Sequence, residues 1–246
     1  MPPLLRSEVK RLSLRRKKRL SPRRSEFRSL ITHFNKRSPI SEQYRTIRTN
    51  IEFSSVDQDL KVIVVTSSGP GEGKSTTIAN LAVVFAQQDK KVLLIDGDLR
   101  KPTVHYTFQI DNTIGITNIL TGQAKLNSAI KSSEIDHLDI LPCGPIPPNP
   151  AEMLGSASMK KLIQQAVEQY DIILIDSPPV LAVTDAQILS NLADGIVLVT
   201  KSGQTEYDMA IKATELLKNS RAKLLGAVLN HKELKHSNYY YYYGNK

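Results

Sequence analysis

Short runs of uninterrupted apolar residues recur along this chain of 246 residues, and segments with helical spacing separate them. KVIVVT (61–66), KVLLID (91–96), LDILP (138–142), DIILID (171–176), GIVLVTK (195–201) and AKLLGAVLN (222–230) have strand length. None alternates apolar with polar, which is how strands read when helices cover both faces of a parallel sheet. Between them, residues 75–88, 115–122, 126–130, 151–169, 185–193 and 206–219 carry helical patterns. The series predicts an α/β fold with a doubly wound, mostly parallel sheet and right-handed crossovers. Such a fold binds ligands at the carboxyl ends of its strands. Ahead of the first strand, SPISEQYRTIRTNIEFSS (38–55) predicts a helix capped by Ser41. Its buried stripe is Ile40, Tyr44, Ile47 and Ile51, and Glu42, Arg45 and Arg48 form a polar ridge beside it.

Composition narrows the class. At 40% hydrophobic the chain can bury a large core, yet no apolar run approaches the 18 or more residues of a membrane span. The opening segment has charge without the apolar stretch of a signal peptide. Cys143 is the only cysteine, so no intrachain disulfide or multi-cysteine metal site is available. These features predict a cytoplasmic protein. The net charge of +9 is unevenly placed: residues 1–37 carry 13 Lys/Arg and 2 acids, and the remainder is slightly acidic. A nucleic-acid-binding domain carries its basic patch on the folded body, so no nucleic-acid partner is expected. Residues 1–37 read as a basic, disordered arm, suited to an anionic membrane surface or partner. Residues 38–231 read as the folded domain and 232–246 as a flexible tail. That tail holds Tyr239, Tyr240, Tyr241, Tyr242 and Tyr243 in succession, and five adjacent aromatics cannot all face one core.

Candidate chemistry falls at the carboxyl edge. SGPGEGKST (68–76) follows the first strand and opens a helix. Its glycines allow close backbone approach, its N–H groups can cradle phosphates, and the helix dipole favours anions. Lys74 can reach the β- and γ-phosphates, and Ser75 can place its hydroxyl on Mg²⁺. The strict GxxxxGK[ST] pattern would need glycine at position 68, where this chain has Ser68. The expected nucleotide contacts are Gly69, Gly71, Glu72, Gly73, Lys74, Ser75 and Thr76. Two further strands end in acids, Asp96 with Asp98 and, later, Asp176. Ser75, Asp98 and Asp176 supply the hard oxygens that Mg²⁺ prefers. ATP and Mg²⁺ are therefore the expected cofactors of a P-loop NTPase.

Several motifs in order carry a resemblance. PGEGKST (70–76) is similar to the Walker A motif of the bacterial tyrosine kinases, LLIDGDLRKP (93–102) to their Walker A′, and ILIDSPP (173–179) to their Walker B. Gly97 stands where that family commonly has alanine. EQYRTIR (42–48) resembles the family's ExxRxxR subunit-contact motif, and the tyrosine cluster its autophosphorylation tail. The chain most resembles the cytoplasmic kinase subunits of Gram-positive capsule and exopolysaccharide systems. The resemblance implies an ATP-dependent protein-tyrosine kinase that modifies Tyr239–Tyr243 and regulates polymer synthesis and export. It implies catalytic roles for Lys74, Asp96, Asp98 and Asp176, with Asp96 orienting and deprotonating the tyrosine hydroxyl. It places Asn230 against adenine, and Glu42, Arg45 and Arg48 in the closure of a homo-oligomeric ring. It also implies a separate membrane activator that recruits the kinase to the inner face of the membrane, tyrosine-containing protein substrates, and a phosphotyrosine phosphatase. The alternatives are a partition or cell-division switch ATPase and an ATP-binding assembly protein. The switch ATPases carry a second lysine early in the loop, where this chain has Gly69 and Pro70.

Overall fold

A computed structural model of the protein describes residues 30–54 and 60–233. The arm before Leu30 and the tyrosines 239–243 lie outside the described residues. In chain order come α1 (Ile31–Phe34), α2 (Pro39–Phe53), β1 (Val62–Ser67), α3 (Lys74–Ala86), β2 (Val92–Asp96) and α4 (Val104–Phe108). Next are α5 (Ile116–Leu120), α6 (Leu126–Ala129), β3 (Lys131–Ser132), β4 (Leu138–Leu141), α7 (Pro150–Leu154) and α8 (Ala157–Val167). β5 (Ile172–Asp176), α9 (Asp185–Ser190), β6 (Gly195–Lys201), α10 (Tyr207–Lys218) and β7 (Lys223–Asn230) complete the series. The sheet order is β3-β4-β2-β5-β1-β6-β7. Every pairing is parallel except β3 with β4, so the expected doubly wound, mostly parallel sheet is present.

Alternation within the apolar runs decides which layer each side chain joins. Ile63, Val65, Val92, Leu94, Ile172 side-by-side with Leu174 face α3, whose Ile78, Leu81 and Phe85 are fully buried. Val62, Val64, Leu93, Ile95, Ile173 and Ile175 face the other way, against α5, α8 and α9. A continuous apolar run therefore encodes two half-cores, and α3 is apolar nearly all round because it is enclosed. Among the described residues, no helix is long and apolar enough to cross a membrane.

Five expectations change. The cap of α2 is Ser38, whose Oγ accepts the Ser41 N–H at 3.0 Å, with Pro39 opening the helix. Ser41 is buried instead and donates its hydroxyl to the Asn35 carbonyl, while Ile40 is exposed. The folded body also begins ahead of residue 38. Leu30 is buried, and Thr32 packs onto α3, its N–H and hydroxyl both reaching Asn80 Oδ1. The helix expected over 151–169 is two helices, because Ser156 caps a fresh start by accepting the Met159 N–H at 3.2 Å. Finally, β7 is the sheet's edge, and its apolar residues are only partly covered.

Candidate functional site

The loop between β1 and α3 turns on two left-handed residues, Gly71 at φ +77° and Gly73 at φ +94°. Gly73 has a second reason to lack a side chain: a Cβ there would lie 2.0 Å from Asn230 Nδ2. Gly73 is the N-cap of α3 and supplies no side-chain cap. The first N–H groups of that helix are thus left to an external acceptor, the arrangement that suits a phosphate.

Below the loop, the parallel register sets Asp96 opposite Asp176 on neighbouring strands. Lys74 reaches across them. Its Nζ lies 3.0 Å from Asp98 Oδ2, 3.2 Å from Asp176 Oδ1 and 3.2 Å from Ser75 Oγ. Burial alone would lower the Lys74 ammonium, yet the charges of Asp176 and Asp98 outweigh it and hold the group above its ordinary value. Asp96 is fully buried. Its Oδ2 accepts the Thr103 and Val104 N–H groups, each at 2.9 Å, and its Oδ1 has no hydrogen-bond partner among the described residues. Burial first, and then the Asp176 charge, push Asp96 up to about 7. A carboxylate poised there is basic enough to take a proton at neutral pH.

Two tests bear on a metal. Asp176 Oδ2 is also buried without a partner among the described residues. Lys74 already brings a cation to the point where Ser75, Asp98 and Asp176 converge. The donors are hard oxygens, and they are too few to form a protein-only cage: no cluster of three or more His, Cys, Asp or Glu is set to hold an ion among the described residues. That is the pattern Mg²⁺ fits, because it is held by one or two carboxylates together with substrate phosphates.

The structure brings together Gly69, Gly71, Gly73, Lys74, Ser75 and Thr76 of the loop with Asp96, Asp98 and Asp176. It turns Glu72 elsewhere. The Glu72 carboxylate accepts the Ser68 N–H at 2.9 Å and the Thr205 hydroxyl at 2.6 Å, inside the fold. The Glu72 side chain is therefore an internal brace, and a nucleotide contact at this position would run through its backbone N–H. Asn230 sits at the loop and donates Nδ2 to the Glu72 carbonyl at 2.9 Å. The polar ridge of α2 is also divided. Arg45 bonds Glu42 and the Lys36 carbonyl, and Glu42 is well exposed. Arg48 instead turns inward and donates to the Val84 carbonyl in the last turn of α3 at 2.6 Å.

Two site features escape sequence reasoning. Arg100, two residues past Asp98, grips the buried Asp185 with Nε and Nη2 at 2.8 and 3.0 Å, tying the segment after β2 to the start of α9. Thr205 is one of many loop threonines. Opposite charge was the only signal for the first, and it cannot select a partner 85 residues away.

A family model described as an AAA domain matches residues 60–224. Tyrosine-protein kinase YwqD of Bacillus subtilis is 57% identical over 219 residues, covering 89% of this chain and 92% of that protein. Putative tyrosine-protein kinase CapB of Staphylococcus aureus is 39% identical over 226 residues, 92% of this chain and 99% of that one. Among solved structures, the chimerical protein CapA2B2 superposes with a TM-score of 0.81 at 44% identity, covering 83% of this chain and 90% of that chain.

Proposed function

We propose, for a chain that belongs to the bacterial tyrosine kinase family, that it transfers the γ-phosphoryl group of ATP to tyrosines, its own Tyr239–Tyr243 among them, and so regulates capsule or exopolysaccharide synthesis. The observation that carries this reading is the Lys74 bridge between Asp98 and Asp176 beneath a glycine loop with open helix N–H groups.

Phosphoryl transfer depends on positioning and charge neutralisation more than on covalent chemistry. The loop N–H groups and Lys74 hold the phosphates, and nucleotide arrival draws the ammonium off the two carboxylates. Ser75, Asp98 and Asp176 would hold Mg²⁺, which when bound supplies charge neutralisation at the phosphates. Asp96 takes the phenolic proton. A phenol ionises near pH 10, and a carboxylate raised to about 7 is a far better acceptor than one at its ordinary value. The two backbone donors on Oδ2 fix its orientation and leave Oδ1 for the proton. Asn230 stands beside Gly73, and its place at the loop supports an adenine contact.

Glu42 and Arg45 occupy the outer part of α2 and suit a contact between copies in a ring. The likeness to a chimerical CapA2B2 protein supports a separate activating polypeptide. Recruitment to the inner face of the membrane through that partner, assisted by the basic arm, completes the proposal, together with outside tyrosine substrates and an opposing phosphatase. Incubation with Mg·ATP and detection with a phosphotyrosine antibody tests it. Signal in wild type and none in Lys74→Met supports a kinase. Phosphate release without phosphotyrosine would mean a switch ATPase, and neither would mean an assembly protein.

A further inference from the structure

A carboxylate within a phosphate-binding loop works against the loop's charge unless its own charge is satisfied elsewhere. Glu72 meets that condition. It is only 5% exposed, and both of its oxygens accept hydrogen bonds. Oε2 takes the Ser68 N–H, which closes the loop on itself across four residues. Oε1 takes the Thr205 hydroxyl, 133 residues away in the turn after β6. That hydroxyl in turn accepts the Lys201 N–H at 2.8 Å, so its own position is fixed. The Glu72 carbonyl is held separately by Asn230, the last residue of β7. Asn230 also accepts the His231 N–H at 2.9 Å, which bends the chain as it leaves the sheet.

We propose that Glu72 is a positioning residue: with Thr205 and Asn230 it clasps the phosphate loop to the ends of β6 and β7, and so keeps the loop's N–H groups spread for the nucleotide. The assignment rests on the loop's being the nucleotide site. Two walls of that site then move as one. The loop cannot collapse without breaking bonds to β6 and β7, and the root of the tyrosine tail is tied to the same clasp through Asn230.

The test is calorimetric titration of the full chain with Mg·ADP, alongside thermal unfolding. Glu72→Gln keeps one acceptor oxygen and loses the other. A lost hydrogen bond to a charged group should weaken ADP about tenfold. Thr205→Val removes the same bond from the other side and should weaken ADP similarly, while Thr205→Ser, which keeps the donor, should restore it. Because both changes cut one bond, the double variant should be no weaker than the worse single variant. If Glu72 faced the phosphates instead, Glu72→Gln would bind ADP as well as wild type or better, having lost a repelling charge, and Thr205→Val would be silent. That result overturns the proposal. So does a fall in unfolding temperature with ADP affinity unchanged, which would leave Glu72 a support of the fold alone. Absence of ADP binding by wild type is a separate outcome: it removes the nucleotide reading and the clasp's role with it.

Discussion

The two ends of α3 are finished in opposite ways. At its N-terminus the cap is Gly73, which has no side chain to offer, so the first N–H groups are left without a side-chain cap among the described residues. At its C-terminus the protein closes the helix itself. Arg48 donates to the Val84 carbonyl, and Glu52 joins Arg48 to Lys90, 2.7 Å from its carboxylate. Between these ends the helix is among the most deeply buried elements of the fold. A helix that loses its cap ordinarily loses stability. Leaving the cap off at one end of a rigid, enclosed helix reserves that end for a ligand anion.

The largest break in this contrast is Lys74→Met. The loop and the acids would keep their places, but the cation between them would be gone. Phosphotyrosine should fall below detection while the far-UV circular dichroism spectrum stays that of wild type. Retained autophosphorylation would remove Lys74 from the site.

Gly73→Ala comes next. It puts a Cβ into Asn230 and a side chain at a left-handed φ. ADP affinity should drop by at least tenfold, in keeping with a steric clash added to roughly 1–2 kcal/mol of backbone strain. Asn230→Ala added to Gly73→Ala opens the space but leaves the strain and removes the Asn230 bond to the loop, so affinity should return at most in part. Full recovery would mean that φ at this position is unimportant.

The acids give a pH signature. As the proposed base, Asp96 must be ionised to take a proton, and burial raises its ionisation to about 7. The transfer rate should therefore rise about tenfold per pH unit below that point and level off above it. The same shift acts on stability with the opposite sense. Folded Asp96 holds its proton from about pH 4 to 7 whereas the unfolded chain has released it, so its contribution is complete below pH 4 and is lost as pH rises through 7. Asp96→Asn should abolish transfer and remove this part of the stability profile.

At the closed end the effects are smaller and of another kind. Arg48→Ala removes a charged donor from the Val84 carbonyl and should lower unfolding free energy by about 1.5–3 kcal/mol in urea titrations, with ADP affinity close to wild type. Arg45→Ala removes an outer residue of α2 and should leave stability within about 0.5 kcal/mol of wild type. It should nevertheless reduce the particle size of the unphosphorylated protein by light scattering. If Arg45→Ala kept the full size, the α2 contact between copies would be wrong.

The contrast also shows what the sequence makes legible. The strands stand out because both their faces are buried, which leaves unbroken apolar runs such as IILI at 172–175. The acids at the ends of β2 and β5 and the GKST turn are legible because phosphate chemistry admits few residue types. Partner choice is less legible. Glu42, Arg45 and Arg48 form one ridge at helical spacing, yet packing of α2 on α3 turns only Arg48 inward. Glu72 reads as a loop residue near phosphates because nothing in the chain marks Thr205 as its partner across 133 residues. Gly155 and Ser156 carry the signal for a broken helix, but the periodic apolar residues on either side mask it until Ser156 is seen capping α8. Local chemistry is written in short spacings, while bonds across the fold are chosen by the packing of the sheet.

Hydrogen exchange at the two ends of α3, measured with and without Mg·ADP, separates the open end from the closed one. ADP should slow exchange across residues 68–76, where N–H groups are left for phosphate, and leave residues 83–90 unchanged. Equal protection at both ends, or protection confined to the closed end, would contradict that division.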